Sequence, residues 1–156
     1  MDTLEDIQVL LDSPNHSEIV KNLFIGSFDS VKEKDVIRDM DAVVSLVRSQ
    51  NVPQSYFNGI LAPGTDHLYI DIRDRSKTPI QDYFNITHNF IASHLKQGHR
   101  VLVHCMMGRS RSATIVAHHL MKENNWDVYR ALKTIKEKRC VIRPNRGFIQ
   151  QLINSK

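Results

Sequence analysis

The spacing of apolar residues changes several times along the chain, and each change predicts an element. Leu4, Ile7, Leu10 and Leu11 recur at helical intervals until D-S-P ends the segment. Ile19 to Gly26 (I-V-K-N-L-F-I-G) reads as a strand or hairpin closed by glycine, and Val31 to Met40 as a short helix. Ala42 to Val47 (A-V-V-S-L-V) is a continuous apolar run of strand length, the pattern of a strand buried on both faces. Ser49 to Asp66, with two prolines, two glycines and two asparagines, predicts the longest surface loop. Leu68 to Ile72 is a further strand candidate.

In T-P-I-Q, Thr78 is placed to be an N-cap, Pro79 the first helical residue and Gln81 the partner of a capping box. Phe84, Thr87, Phe90, Ile91, His94 and Leu95 then form the buried stripe of a helix that Gly98 ends. Arg100 to His104 (R-V-L-V-H) is another strand, running straight into a loop of glycine, serine and arginine. Ala113 to Lys122 is helical in pattern. Asp127 caps another helix carrying Val128, Ala131, Leu132 and Ile135, and R-P-N at 143–145 separates it from a last helix with Phe148 and Leu152. Strands alternating with helices predict an α/β fold: a central, mostly parallel twisted sheet flanked by helices. Ligands of such sheets bind beyond the carboxyl ends of strands, which is where the loop after His104 lies.

Composition narrows the classes. The 156 residues suit one domain with residues 1–18 as a helical extension, and 41% hydrophobic with 24% charged residues is ordinary for a soluble globule. No apolar run reaches the ~18–20 residues of a membrane span, and M-D-T-L-E-D lacks the basic start of a signal peptide. The expected location is cytosol or nucleus. Two cysteines, Cys105 and Cys140, outside any CxxC spacing argue against a disulfide framework or zinc finger. A net charge of +4 permits anionic partners, but no nucleic-acid-binding signature accompanies it. His118 and His119 are adjacent on a helix and cannot share a face, so no metal and no cofactor are expected. Arg139, Arg143 and Arg146 read as a solvated face, and Cys140 as structural.

The loop H-C-M-M-G-R-S-R-S, His104 to Ser112, carries the chemistry. A tight strand-to-helix turn gathers backbone N–H groups into an anion nest, and the following helix adds its positive end. Gly108 permits a close backbone approach, and Arg111 can grip two phosphate oxygens in a fork that lysine does not offer. The same positive field favours a thiolate at Cys105, placed to attack phosphorus. A buried structural cysteine is the common alternative, but Gly-Arg-Ser-Arg-Ser is the wrong company for a core. Such a mechanism needs a proton donor, and Y-I-D-I-R-D-R-S offers two. Asp74 stands at the loop end, whereas Asp71 lies within the strand pattern; Asp74 is favoured and Asp71 is the alternative.

With Cys-x5-Arg-Ser and an upstream aspartate in place, the sequence resembles the dual-specificity branch of the cysteine-dependent protein tyrosine phosphatases, specifically their small atypical members. V-K-N-L-F-I-G-S resembles the opening strand of that family, and Y-I-D-I-R-D with I-Q-D-Y-F its general-acid loop and next helix. V-L-V-H-C-M-M-G-R-S-R-S-A-T resembles its signature loop and R-P-N-R-G-F-I-Q-Q-L its closing segment. The resemblance implies a tyrosine-phosphatase-like fold and hydrolysis of phosphotyrosine and phosphoserine/phosphothreonine in phosphorylated proteins. It implies Cys105 as nucleophile, Arg111 as phosphate clamp, Asp74 as acid and base, and Ser112 assisting hydrolysis. His104 would set the loop's geometry and the cysteine's protonation, and the backbone of Met106, Met107, Gly108, Arg109, Ser110 and Arg111 would cradle the anion. Two residues depart from the family pattern: His118 stands where tyrosine is frequent, and Arg109 where an apolar or aromatic residue is frequent. The competing functions are a phosphatase of a phosphoinositide, RNA 5′ end or phosphoglycan, and a non-catalytic phosphoprotein-binding module. The sequence does not address oligomeric state.

Overall fold

The computed structural model describes residues 3–156, the side chain of Leu10 excepted. Five strands form one sheet: β1 (His16–Val20), β2 (Leu23–Gly26), β3 (Ala42–Val47), β4 (Asp66–Asp71) and β5 (Val101–His104), in the order β1-β2-β5-β3-β4. Of the strand or hairpin expected at Ile19–Gly26, the hairpin forms: β1 and β2 pair across a turn with Asn22 at φ 68°, and among the described strands only this pair is antiparallel. The sheet is therefore mostly parallel, as expected.

The parallel registers bring the carboxyl ends of four strands to one edge. Gly26 and Ser45 both stand opposite His104, and Val47 stands opposite Asp71. The chain leaving β5 and the chain leaving β4 consequently emerge side by side.

Alternation along the central strands explains their continuous apolar character. Ala42, Val44, Leu46, Val101 and Val103 face a core shared with α4 (Phe84–Lys96), α5 (Arg111–Asn124), α6 (Val128–Lys138) and α7 (Arg146–Asn154). Val43, Val47 and Leu102 face a second core with Val31, Ile37, Met40 and Phe57. Both faces are covered, as a parallel sheet requires. Asp127 caps α6 by accepting from the Arg130 N–H, and Asn145 caps α7 by accepting from Phe148. Gly98, at φ 76°, follows the end of α4.

Several expectations need correction. Val31–Met40 is not one helix; two short helices, α2 (Phe28–Lys32) and α3 (Lys34–Ile37), meet at Glu33, whose extended backbone breaks the helical path. Thr78 is not an N-cap: a 3₁₀ turn, Ile80–Tyr83, has Pro79 at its cap position without a side-chain cap. Gln81 instead donates its backbone N–H to Gln151 on α7, so packing against that helix overrides the local capping signal. The helix α1 (Leu4–Asp12) forms with a Thr3–Asp6 capping box, but Leu4, Ile7 and Leu11 are exposed. Leu10 lies outside the described side chains. The long loop after β3 carries a 3₁₀ turn, Gln54–Gly59, whose Phe57 is buried against the rings of His67, His104 and Tyr69. Among the described residues no helix is long and apolar enough to cross a membrane.

Phe57 anchors that loop beneath the end of β5. Phe57→Ala is expected to lower unfolding stability by ~3–5 kcal/mol in urea denaturation. A loss below ~1 kcal/mol would show that the loop is held by other contacts.

Candidate active site

The loop predicted as the functional element joins β5 to α5. Ser110, before the first turn of α5, supplies no side-chain cap, so the helix's free N–H groups are not closed off by that hydroxyl. Gly108 adopts φ 65°, and a Cβ there would stand 2.8 Å from the carbonyl carbon of Gly26 and 2.6 Å from a nitrogen of Arg139. Only glycine satisfies both the left-handed backbone and the close approach.

Arg139 is the residue that sequence reasoning misplaced. It is buried, not solvated, and its Nε donates to the Gly108 carbonyl at 2.9 Å. Nη2 reaches the Met107 carbonyl at 3.4 Å, while Nη1 donates to Pro14 O at 2.7 Å and Ser17 Oγ at 3.1 Å. Burial lowers its pKa from the ordinary arginine value. In a trans peptide the C=O and the next N–H point opposite ways. Holding those two carbonyls behind the loop therefore turns the N–H groups of Gly108 and Arg109 to the other side. No spacing rule signals this, because the partners are 31 or more positions away in sequence.

Cys105 is 2% exposed, with Sγ 3.2 Å from Ser112 Oγ. The Arg111 guanidinium is also buried; Nη1 donates to Ile72 O at 3.0 Å, and Nε has no protein partner. Asp74 Oδ1 accepts from Ser110 Oγ at 2.6 Å and from Asn145 Nδ2 at 2.8 Å. The loop carrying Asp74 is seamed to α7 at further points. Gly147 N–H donates to Ser76 Oγ, Gln151 Nε2 donates to Thr78 O, and a side chain at Gly147 would collide with Ser76 backbone.

Asp74, Cys105, Met107, Arg109, Ser110, Arg111 and Arg143 line one pocket of about 270 Å³. Asp71 lines a different pocket with Arg48, Ser49 and Arg73. The Ser49 hydroxyl, at 2.7 Å, and its backbone N–H, at 3.0 Å, hold the Asp71 carboxyl below the usual range. Met106 instead gives its carbonyl to the Phe28 N–H. Arg109 is anchored by its Nε to Val141 O at 3.1 Å while lining the pocket rim.

His104 is fully buried, and burial lowers its pKa to about 4. Its Nδ1 lies 3.3 Å from the Cys105 carbonyl and its Nε2 2.7 Å from Ser45 Oγ, which lies 2.8 Å from His67 Nε2. A carbonyl only accepts, so Nδ1 carries the proton. Nε2 then accepts from the Ser45 hydroxyl, and Ser45 accepts from His67. This chain of donors fixes the orientation of the residue before the thiol. His118, the other departure, stacks on Phe84 with ring centroids 4.2 Å apart, a packing role.

Comparison with known proteins fits this geometry. Residues 23–156 match the family described as dual specificity phosphatase, catalytic domain. The chain belongs to that family. The tyrosine-protein phosphatase yvh1 of Schizosaccharomyces pombe is 38% identical over 154 residues, 94% of this chain and 45% of that protein. Dual specificity protein phosphatase 1B of Arabidopsis thaliana is 35% identical over 136 residues, covering 87% of this chain and 78% of the relative. The chain thus spans less than half of the yvh1 relative and 21% of the Slingshot homolog of Xenopus laevis. Human DUSP28 superposes with a TM-score of 0.79 at 26% identity, covering 90% of this chain and 92% of that one. The human tyrosine phosphatase-like serine/threonine/tyrosine-interacting protein superposes equally well at 28% identity, over 90% and 94% of the two chains. The dual specificity phosphatase fold is thus shared by proteins of different names, and the activity has to be argued from the site.

Two outcomes test this geometry. Arg139→Lys should keep the far-UV spectrum yet lower kcat/KM on an aryl phosphate ~100-fold, since lysine lacks the fork that spans these carbonyls; near-normal turnover would remove Arg139 from the positioning of the loop. The second concerns pH. An unfolded histidine titrates near 6.5, whereas folded His104 titrates near 4. The unfolded chain therefore binds more protons between these values. Stability is complete above pH 6.5, falls toward pH 4 by on the order of 3 kcal/mol from His104, and levels below. His118 and His119, held at about 4 by burial, act in the same direction. Urea titrations should accordingly show a flatter profile in His104→Gln, by its own share only; an unchanged profile would refute the assignment.

Proposed function

We propose that this domain hydrolyses phosphate monoesters of tyrosine and of serine or threonine in phosphorylated proteins, through a phosphocysteine at Cys105. One observation carries the reading. The Arg111 guanidinium is buried, and its Nε finds no protein acceptor. An unpaired buried charged donor is costly, and a phosphate dianion beside Cys105 would satisfy it.

In the first step the Cys105 thiolate forms a bond to phosphorus as the bond to the substrate oxygen breaks. Asp74 gives its proton to that oxygen, which leaves as the alcohol or phenol. Ser110 and Asn145 occupy Oδ1 of Asp74, leaving Oδ2 to carry the proton. In the second step the Asp74 carboxylate takes a proton from water, whose oxygen attacks phosphorus and releases the thiolate. Ser112 Oγ, 3.2 Å from the sulfur, donates to it as it departs. Arg111 and the loop N–H groups hold the equatorial oxygens throughout. The exposed Asp74 and Arg143 and the half-exposed Met107 make shallow walls, which supports acceptance of short phosphoserine and phosphothreonine side chains beside phosphotyrosine. The chemistry needs a reduced Cys105, as the cytosol or nucleus would keep it.

Cys105→Ser should abolish turnover of an aryl phosphate and retain binding of a phosphopeptide. Asp74→Asn should lower kcat ~10²–10⁴-fold, with Asp71→Asn close to wild type. The reverse ranking would transfer the acid role to Asp71. Assays with phosphotyrosine and phosphothreonine peptides, a phosphoinositide and a triphosphorylated RNA test the substrate class; activity confined to the last two would overturn the protein-phosphatase reading.

A further inference from the structure

Away from the phosphate pocket, ligating side chains converge on the seam between α4 and α5. His88 on α4 and His119 and Glu123 on α5 each offer one ligand atom within 4.8 Å of the others. His119 and Glu123 are four residues apart, so they share a face of α5, and α4 packs along that helix to bring in His88. The Nδ1 atoms of His88 and His119 are 3.0 Å apart, and His88 Nε2 is 3.9 Å from Glu123 Oε2.

Hydrogen bonding satisfies this group only in part. The two rings can share a single proton between their Nδ1 atoms, while 3.9 Å is too long for a hydrogen bond to the carboxylate. Around a tetrahedral ion with bonds of ~2.0–2.1 Å, ligand atoms stand about 3.4 Å apart; one ligand atom from each of the three residues already lies within 4.8 Å of the others, so small side-chain rotations bring the trio to that spacing. Glu123 is exposed and His88 half-buried, which gives an ion an entry path.

We propose that His88, His119 and Glu123 bind a borderline divalent transition-metal ion of the Zn²⁺ class, clamping α4 to α5. Two imidazoles and one carboxylate suit Zn²⁺, Co²⁺, Ni²⁺ or Cu²⁺ rather than Mg²⁺ or Ca²⁺, which prefer all-oxygen shells. Three protein ligands leave a fourth position for water. His119 lies eight residues along α5 from Arg111, about 12 Å at the helical rise, so the ion takes no part in phosphoryl transfer.

The test uses the full chain with Cys105→Ser, which removes the catalytic thiol as a competing ligand. Titration with Co²⁺ should show one equivalent bound with the visible absorption of a low-coordinate nitrogen and oxygen site. Zn²⁺ should displace it and raise Tm, whereas Mg²⁺ should do neither. His88→Gln and Glu123→Ala change accessible positions and should each weaken Zn²⁺ binding tenfold or more; His119→Gln should do the same where it folds. His94→Gln is the control: His94 and His99 form a second imidazole pair, with Nδ1 atoms 2.9 Å apart and Asp66 held at 2.7 Å by His94 Nε2, but among the described residues their ligand atoms do not converge as those of the trio do. Absence of a one-equivalent site, binding undiminished by His88→Gln and Glu123→Ala, or loss of binding in His94→Gln would overturn the proposal.

Discussion

A loop that binds an anion through its own backbone has to turn its carbonyl groups away, and those carbonyls need donors. Arg139 meets that requirement, donating to Gly108 and Met107 from behind the loop while holding Pro14 and Ser17 with its remaining nitrogen. The opposite wall is the end of β2, where Cys105 N–H donates to Gly26 O and Gly108 lies against the same residue. Strand pairing, hairpin position and loop conformation therefore depend on one another. A side chain at Gly26 would in turn collide with Ser30 Oγ, so the contact is shaped on both sides.

Two guanidinium groups are thus buried within one short loop, Arg139 beneath it and Arg111 within it. Their partners are carbonyls and the Ser17 hydroxyl, with no carboxylate among the hydrogen bonds of either. Among the described residues no carboxylate forms an ion pair with either guanidinium, an arrangement that suits an anionic ligand. His104 fits this arrangement. Burial, together with the charge of Arg111, keeps its ring neutral, so the histidine serves as a fixed hydrogen-bonding link between β5 and Ser45 rather than as a third cation.

Much of this is legible in the sequence. The unbroken apolar run Ala42–Val47 is a central strand with partners on both sides, and the loop after β5 stands at the carboxyl edge that the βα alternation indicates. The placement of Asp74 near the loop followed from its position past the end of β4, whereas Asp71 is still paired with Val47. What failed were inferences from neighbours in sequence. T-P-I-Q has the local form of a helix start, but Gln151 takes the Gln81 N–H. Arg139 sits among lysines and looks solvated, yet its acceptors come from the loop and from the chain entering β1. His118 and His119 do diverge as adjacent residues must; the omitted partner was His88, 31 positions upstream of His119. Contacts of that span leave no periodic trace.

The seam between the Asp74 loop and α7 bears on how the reaction proceeds in time. Asp74, Ser76, Thr78 and Gln81 are each tied to residues of α7 or its cap, and Gly147 is packed so closely that nothing larger fits. A segment fastened along its length to a helix whose Phe148 and Leu152 are in the main core cannot swing over the pocket without lifting that helix. Asp74, the proton donor of the proposed mechanism, is therefore held at the pocket without a substrate present. In the proposed mechanism, capture and bond cleavage are then not separated by a lid closure.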